Sequence, residues 1–325
     1  MSASSRLALV ADIGGTNARF GIADLDTLEV GRFEVFHGRD HPTLAGAAAA
    51  YLDRLDARPG LGAFAVAAPV TDDAVRLTNS PWAFTRAELR QALGLDELLL
   101  LNDFEALALG LPHLGPSDLH RIGGGAPAER AAKAVLGPGT GLGVAGLAWS
   151  PSGWVALPGE GGHSTLAVET EREFAILQRL REGRERVSTE RVLSGPGLAD
   201  LHGILADLRG LAPESLEPAE VVSRALARSD AAAEEALDHF VTWAGRFAGD
   251  VALLYGARGG IYLGGGIPPR ILGALTSGRF RAAFEAKGRM SAYVAAIPVY
   301  VVLSGEAALR GAAAALGAAL TGRAP

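Results

Sequence analysis

Three groupings in this sequence have the residue types and spacing for chemistry: an amide beside a carboxylate, an acid three residues before an imidazole, and a pair of glycine-threonine turns. Asn102-Asp103 closes the apolar run at 98–101. At the carboxyl end of a buried strand, where α/β sheets bind their ligands, Asp103 can take a proton from a substrate hydroxyl as a γ-phosphoryl group transfers. Asn102 can bind the neighbouring hydroxyl. A helix start accounts for the same residues equally well, with Asn102 as N-cap and Asp103 and Glu105 as acids favoured by the macrodipole. Glu160 and His163 lie in Pro158-Gly159-Glu160-Gly161-Gly162-His163. The glycines there forbid a stable helix, which separates the pair from helical Glu-x-x-His metal sites. An acid beside an imidazole suits the vicinal hydroxyls of a polyol such as a sugar; a solvated loop is the plain alternative. Glu190 reads as a first-turn acid after a serine cap, and nothing in its local pattern selects it for function.

The two turns are Asp12-Ile13-Gly14-Gly15-Thr16-Asn17 and Gly137-Pro138-Gly139-Thr140-Gly141, each set between two strand-like apolar runs. Glycines tolerate positive φ and lack a Cβ, so consecutive N–H groups can wrap an anion. Two such tips facing one another would clamp a polyphosphate. Asp12 would point at bound phosphates and hold a Mg²⁺-bound water. Neither tip is a Walker loop or a GxGxxG fingerprint, since no helix follows and no Gly-Lys-Thr occurs. A third cluster, Gly264-Gly265-Gly266-Ile267, follows a strand. It would admit a flat ring such as adenine, although a strand-to-helix turn with proline starting the helix explains it too.

The elements that must position these groups follow from periodicity. Strands are expected at 7–13, 18–24, 30–36, 62–68 and 98–101, with helices at 43–55, near 86–93, and over Phe104 to Leu111. Thr85 and Glu88 form a capping box at the second of these. The Pro/Gly-rich stretch Leu111 to Pro127 reads as a domain boundary. Beyond it the pattern restarts with a hairpin over 134–149 and a strand at 153–157. Helices follow at 169–183, 189–208 and 218–257, then a strand at 260–263, a helix carrying Ile271 and Leu272, a strand at 298–303 and a helix at 306–320. The order β-β-β-α-β-α occurs twice, which predicts a duplicated α/β domain.

Composition narrows the class. The 325 residues are 49% hydrophobic and 20% charged, a globular composition with material for two cores. A net charge of -6, without a basic stretch, argues against nucleic-acid binding. With no cysteine, a disulfide framework, a thiol nucleophile and a Cys-based zinc site are excluded. The apolar stretch after Met1 is too short for a signal peptide, and no uncharged run reaches membrane-spanning length, so a cytoplasmic location and no membrane partner are expected.

In chain order, VADIGGTNARFGIAD, LLNDFEALALGLP, LGPGTGLGVAGL, LPGEGGHSTLA, STERVLSGPGL, GRFAGDVAL and YLGGGIPPR together resemble the bacterial glucokinase family, the ATP-dependent proteobacterial type. The resemblance runs from Leu7 to Gly311. It implies the actin/hexokinase (ribonuclease H-like) duplicated two-domain fold with an interdomain cleft closing on D-glucose and MgATP. By that resemblance the γ-phosphoryl group passes to the 6-hydroxyl of glucose. Asp103 matches the general base, and Asn102, Asp103, Glu160, His163 and Glu190 match sugar ligands. Ala11, Asp12, Ile13, Gly14, Gly15, Thr16 and Asn17 match the first phosphate loop, with Asp12 reaching the nucleotide's Mg²⁺ through water. Gly139, Thr140 and Gly141 match the second loop, and Gly264, Gly265, Gly266 and Ile267 the adenosine region. A small domain of 1–112 plus 304–325, a large domain of 113–303, and a homodimer are implied as well. The chain departs from the family pattern at Ser304-Gly305-Glu306-Ala307, where Asn-Pro or a similar pair is expected, and from some relatives at Ser164 and Thr165. The alternatives are a related kinase acting on fructose, mannose or an N-acetylhexosamine, many of which carry a Cys-rich zinc motif absent here, and a non-catalytic sugar sensor.

Overall fold

A computed structural model describes residues 6–55, 58–70, 72–77, 82–212 and 214–322. Residues 1–5 and 323–325, at the two ends of the expected small domain, lie outside the described residues, as do the gaps between these ranges. The chain divides into two units: 1–118, 146–158 and 304–325 form the first, and 119–145 and 159–303 the second.

The first unit opens with β1 (Leu7–Ile13), β2 (Asn17–Asp24) and β3 (Val30–His37), then α1 (Leu44–Leu52) and β4 (Leu61–Val66). A short hairpin, β5 (Ala74–Arg76) and β6 (Ala83–Thr85), leads into α2 (Arg86–Leu93), β7 (Glu97–Asn102) and α3 (Asp103–Gly110). The sheet order is β3-β2-β1-β4-β7. β1 runs antiparallel to β2 and parallel to β4, which runs parallel to β7. The central strands β1 and β4 are apolar almost throughout and buried along nearly their whole length, as strands covered on both faces require. The capping box at Thr85 and Glu88 forms with both of its hydrogen bonds, and Gly94 ends α2 in the left-handed region.

The second unit supplies β8 (Leu119–Gly123), β9 (Lys133–Pro138), β10 (Leu142–Ser150) and β11 (Gly153–Gly159), with the outer part of the β10–β11 hairpin counted in the first unit. Then come α4 (Glu171–Arg181), α5 (Gly195–Leu208), α6 (Pro218–Ala227), α7 (Ala231–Tyr255), β12 (Ile261–Leu263), α8 (Leu272–Leu275), α9 (Arg279–Glu285), α10 (Ser291–Ala295) and β13 (Val299–Val302). Its sheet order is β11-β10-β9-β12-β13-β8. With β8 set aside as an added antiparallel edge, this repeats the first sheet strand for strand. The duplicated α/β fold read from element order is therefore the one observed. The last helix, α11 (Ala307–Thr321), belongs to the first unit and packs on α3. The helices cross at glycines: a Cβ on Gly311 would overlap the Ala106 carbonyl oxygen, and one on Gly110 the Ala307 oxygen.

Several boundaries differ from the sequence expectation, each for a local reason. The helix expected over 218–257 is two helices, because Arg228 turns left-handed (φ 54°) and Asp230 caps a new start through Ala232 and Ala233 N–H. The helix expected over 189–208 is a 3-10 turn at Thr189–Arg191 followed by α5, which Ser194 caps. The helix expected after the third glycine cluster shortens to a 3-10 turn, Pro268–Ile271, and α8. The β5–β6 hairpin and β8 went unexpected. Among the described residues, no helix is long and apolar enough to cross a membrane.

Candidate active site

The first glycine turn closes on itself. Gly14 N–H donates to Asn17 O at 2.9 Å, and Gly38 N–H donates to Thr16 O at 2.9 Å. The hairpin register places Asp12 opposite Arg19, whose Nη1 donates to Asp12 Oδ2 at 2.8 Å; the carboxylate is 15% exposed. Arg19 was not singled out from sequence, yet the signal was available, since any hairpin folded about Gly15-Thr16 sets residues 12 and 19 opposite one another. Asn17 Oδ1 lies 2.8 Å from His37 Nδ1 on β3.

The second turn closes in the same way, with Gly139 N–H donating to Gly141 O at 2.8 Å. It is held from outside as well. The first N–H of α5, from Gly195, donates to Gly139 O at 2.8 Å. Glu190 Oε2 accepts the Leu142 N–H at 2.8 Å. A Cβ on Gly141 would come within 2.5 Å of that carboxylate oxygen, so glycine here gives the acid its room. The third cluster adjoins: Gly264 N–H donates to Leu136 O at 2.9 Å, and Ile267 N–H to Pro138 O at 3.4 Å. Gly265 takes φ 81° with Pro138 O only 2.8 Å from where a Cβ would sit, a position only glycine fills without strain. Space in front of Gly266 is open.

One expectation about these turns is corrected. Gly14, Gly15, Gly139 and Gly141 take no positive φ. Their lack of a Cβ, not the left-handed region, is what the turns use, and the N–H groups of Gly14 and Gly139 are committed to closing them.

Asn102 ends β7 and begins α3. Its Oδ1 accepts from Phe104 N–H at 2.9 Å and Glu105 N–H at 3.2 Å, and its Nδ2 donates to Ala68 O at 3.4 Å. The N-cap reading is thus correct for Asn102. Asp103 is half-buried at the first position of α3, with Oδ1 accepting the Phe104 N–H at 3.0 Å. Burial pushes the Glu105 carboxyl above its usual range, against a lowering hydrogen bond from the Asn102 backbone.

Glu160, His163 and Glu190 are brought together. Gly161–His163 is a single 3-10 turn. His163 Nε2 lies 4.0 Å from Glu160 Oε2, and its Nδ1 lies 4.0 Å from Glu190 Oε1. Such gaps are too long for a hydrogen bond, yet one hydroxyl oxygen can sit about 2.8 Å from both atoms of either pair. That geometry suits adjacent hydroxyls. Among the described residues, no group of three His, Asp or Glu side chains can hold a metal ion, so this trio is not a metal centre. Two pairs fix it: Thr189 N–H donates to Ser164 O at 2.8 Å, and Ser164 Oγ lies 3.1 Å from Thr189 Oγ1. Arg186 Nη2 donates to His163 O at 2.8 Å. Sequence reasoning missed these, and Gly162, whose added Cβ would overlap Leu142 O. Contacts between segments so far apart in the chain leave no local pattern.

The family model described as Glucokinase matches residues 9–319. A glucokinase from Neisseria gonorrhoeae is 47% identical over 95% of this chain and 94% of its own length. One from Cronobacter sakazakii is 43% identical over 96% and 97%. The crystal structure of a glucokinase from an Antarctic psychrotroph superposes with a TM-score of 0.84 at 38% identity, covering 96% of this chain and 98% of that one. A Streptomyces griseus glucokinase of the ROK family, solved with glucose and AMPPNP, shares the fold at 20% identity and a TM-score of 0.65.

Proposed function

Since the chain belongs to the glucokinase family, we propose that it transfers the γ-phosphoryl group of ATP to the 6-hydroxyl of D-glucose, giving glucose 6-phosphate and ADP. The observation that carries this reading is the gathering of Glu160, His163 and Glu190 directly behind the second glycine turn, a hydroxyl-binding trio on a phosphate-binding loop.

In this reading the sugar hydroxyls bind Asn102, Asp103, Glu160, His163 and Glu190. Asn102 Oδ1 is held by two backbone N–H groups, which aims its Nδ2 and fixes the amide beside the base. Asp103 accepts the 6-hydroxyl proton late in a loose transfer. Its carboxylate is pinned by Phe104 N–H, so it is presented in one orientation with little reorganisation. Because Gly14 and Gly139 close their turns, the backbone donors offered to phosphate are those of Gly15 and Thr16 in one and Thr140 and Gly141 in the other. Ala11, Ile13 and Asn17 frame the first loop, and Gly264 to Ile267 take the adenosine.

Asp12 fits a Mg²⁺ held through water. It is a hard oxygen donor whose charge Arg19 already balances, which favours an outer role over direct ligation, and Mg²⁺ usually keeps several waters. Bound there with the nucleotide, the ion would neutralise charge on the phosphates. The resemblance also supports a homodimer, and the net charge and short apolar runs support a cytoplasmic location without nucleic-acid or membrane partners; light scattering at twice the chain's mass would bear out the dimer.

The test is ADP release with MgATP across a panel of hexoses. Glucose-dependent turnover supports the reading. Turnover only with fructose, mannose or an N-acetylhexosamine replaces the substrate, and sugar binding without turnover replaces the activity with sensing.

A further inference from the structure

Leu142 is the first residue after the second glycine turn, and both sides of its backbone are occupied by the segments that carry the sugar trio. Its N–H donates to Glu190 Oε2 at 2.8 Å. Its carbonyl oxygen lies so close over Gly162 that no Cβ fits between them, and its own Cβ would stand 3.0 Å from an added Gly162 Cβ. Gly161 packs on Val144 just beyond, with 3.2 Å to that side chain from an added Cβ. Glu190 therefore has two faces. One carboxylate oxygen fixes the loop, and the other stands 4.0 Å from His163 Nδ1, where a hydroxyl would bind.

We propose that Leu142 is a coupling point. A sugar that draws on Glu190 and on the Glu160–His163 turn repositions or stiffens the Leu142 backbone, and with it the Thr140 and Gly141 donors. Sugar and nucleotide then bind cooperatively within this one unit. Gly162 is a positioning residue, acting through Leu142 rather than on either ligand. The proposal rests on the reading above that the trio binds sugar and the turn binds phosphate. Contact holds at every step from the trio to the turn, and the experiment asks whether that contact carries a coupling free energy.

The test measures AMPPNP affinity by calorimetry, with and without saturating glucose, in the wild type and in Gly162→Ala. In the wild type glucose should tighten AMPPNP binding by a factor within the usual range of about 5 to 150. In Gly162→Ala that factor should fall toward one while each ligand alone still binds. A factor unchanged in the folded variant, or equal to one in the wild type, overturns the coupling. Should the variant fail to fold, amide exchange in the wild type decides. Glucose alone should slow exchange at Leu142, and an unchanged rate overturns the proposal. A wild type that binds neither ligand overturns the functional reading first, and the coupling with it.

Discussion

The two glycine turns occupy the same place in their sheets, between β1 and β2 and between β9 and β10, yet they are held by different means. The first is held chiefly by its own hairpin. Its closure, its acid and the arginine that neutralises that acid all come from that hairpin, while His37 of β3, Gly38 just after it and Ala67 just after β4 add hydrogen bonds. The second borrows. Glu190, Gly162 and the start of α5 come from three later segments to hold it. A turn fastened by its own hairpin presents fixed donors, whereas a turn fastened by distant segments responds to whatever those segments bind. Duplication repeated the frame; the insertions between strands made the copies unlike.

The contrast extends to the chemistry each unit carries, and it can be broken. In the proposed function Asp103, in the first unit, belongs to the chemical step. Asp103→Asn should lower kcat by about 10²–10⁴-fold with glucose affinity largely kept, and steady-state kinetics beside calorimetry would separate the two. Near-normal turnover would remove Asp103 from its role. Glu160, in the second unit, is proposed to belong to binding. Glu160→Gln gives up charge-assisted hydrogen bonds of ~1.5–3 kcal/mol, so the glucose dissociation constant should rise about 10- to 100-fold; an unchanged constant would move the sugar elsewhere. If Asp12 holds Mg²⁺ through water as proposed, Asp12→Asn should raise the Mg²⁺ needed for half-maximal rate by about 10-fold, read from a Mg²⁺ titration at fixed ATP.

The mildest test addresses the turns themselves. A Cβ on Gly14 meets only Asn17 O, at an ordinary 3.5 Å, whereas one on Gly141 meets Glu190 at 2.5 Å. Gly141→Ala should cost about 1–3 kcal/mol of stability and Gly14→Ala no more than about 0.5 kcal/mol, measured by denaturant unfolding. Equal losses would mean that the two turns are held alike after all.

What the sequence disclosed was what is local. The Thr85–Glu88 box, the Asn102 cap and the apolar strands are decided within a few residues, so their types alone announce them. The site was legible where its residues are contiguous, at Asn102-Asp103 and in the turn that carries Glu160 and His163. It was opaque at Glu190, whose partner Leu142 lies far earlier in the chain; only family resemblance pointed to that acid. The break between α6 and α7 hid for another reason. Apolar periodicity continues across it, and a left-handed Arg228 breaks no rule of composition that glycine would have flagged. The strand β8 lay concealed in a stretch whose prolines and glycines read as linker.

The crossing of α3 and α11 bears on how the protein is made. Helix α3 begins at Asp103, and its inner face, with Ala106 and Gly110, is covered by a helix that leaves the ribosome only after the whole second unit. A nascent chain therefore carries a finished first sheet with the helix that begins at Asp103 still bare on its inner face. Vectorial synthesis alone should hold such a chain inert, and in need of shelter from its neighbours, until Gly311 has docked.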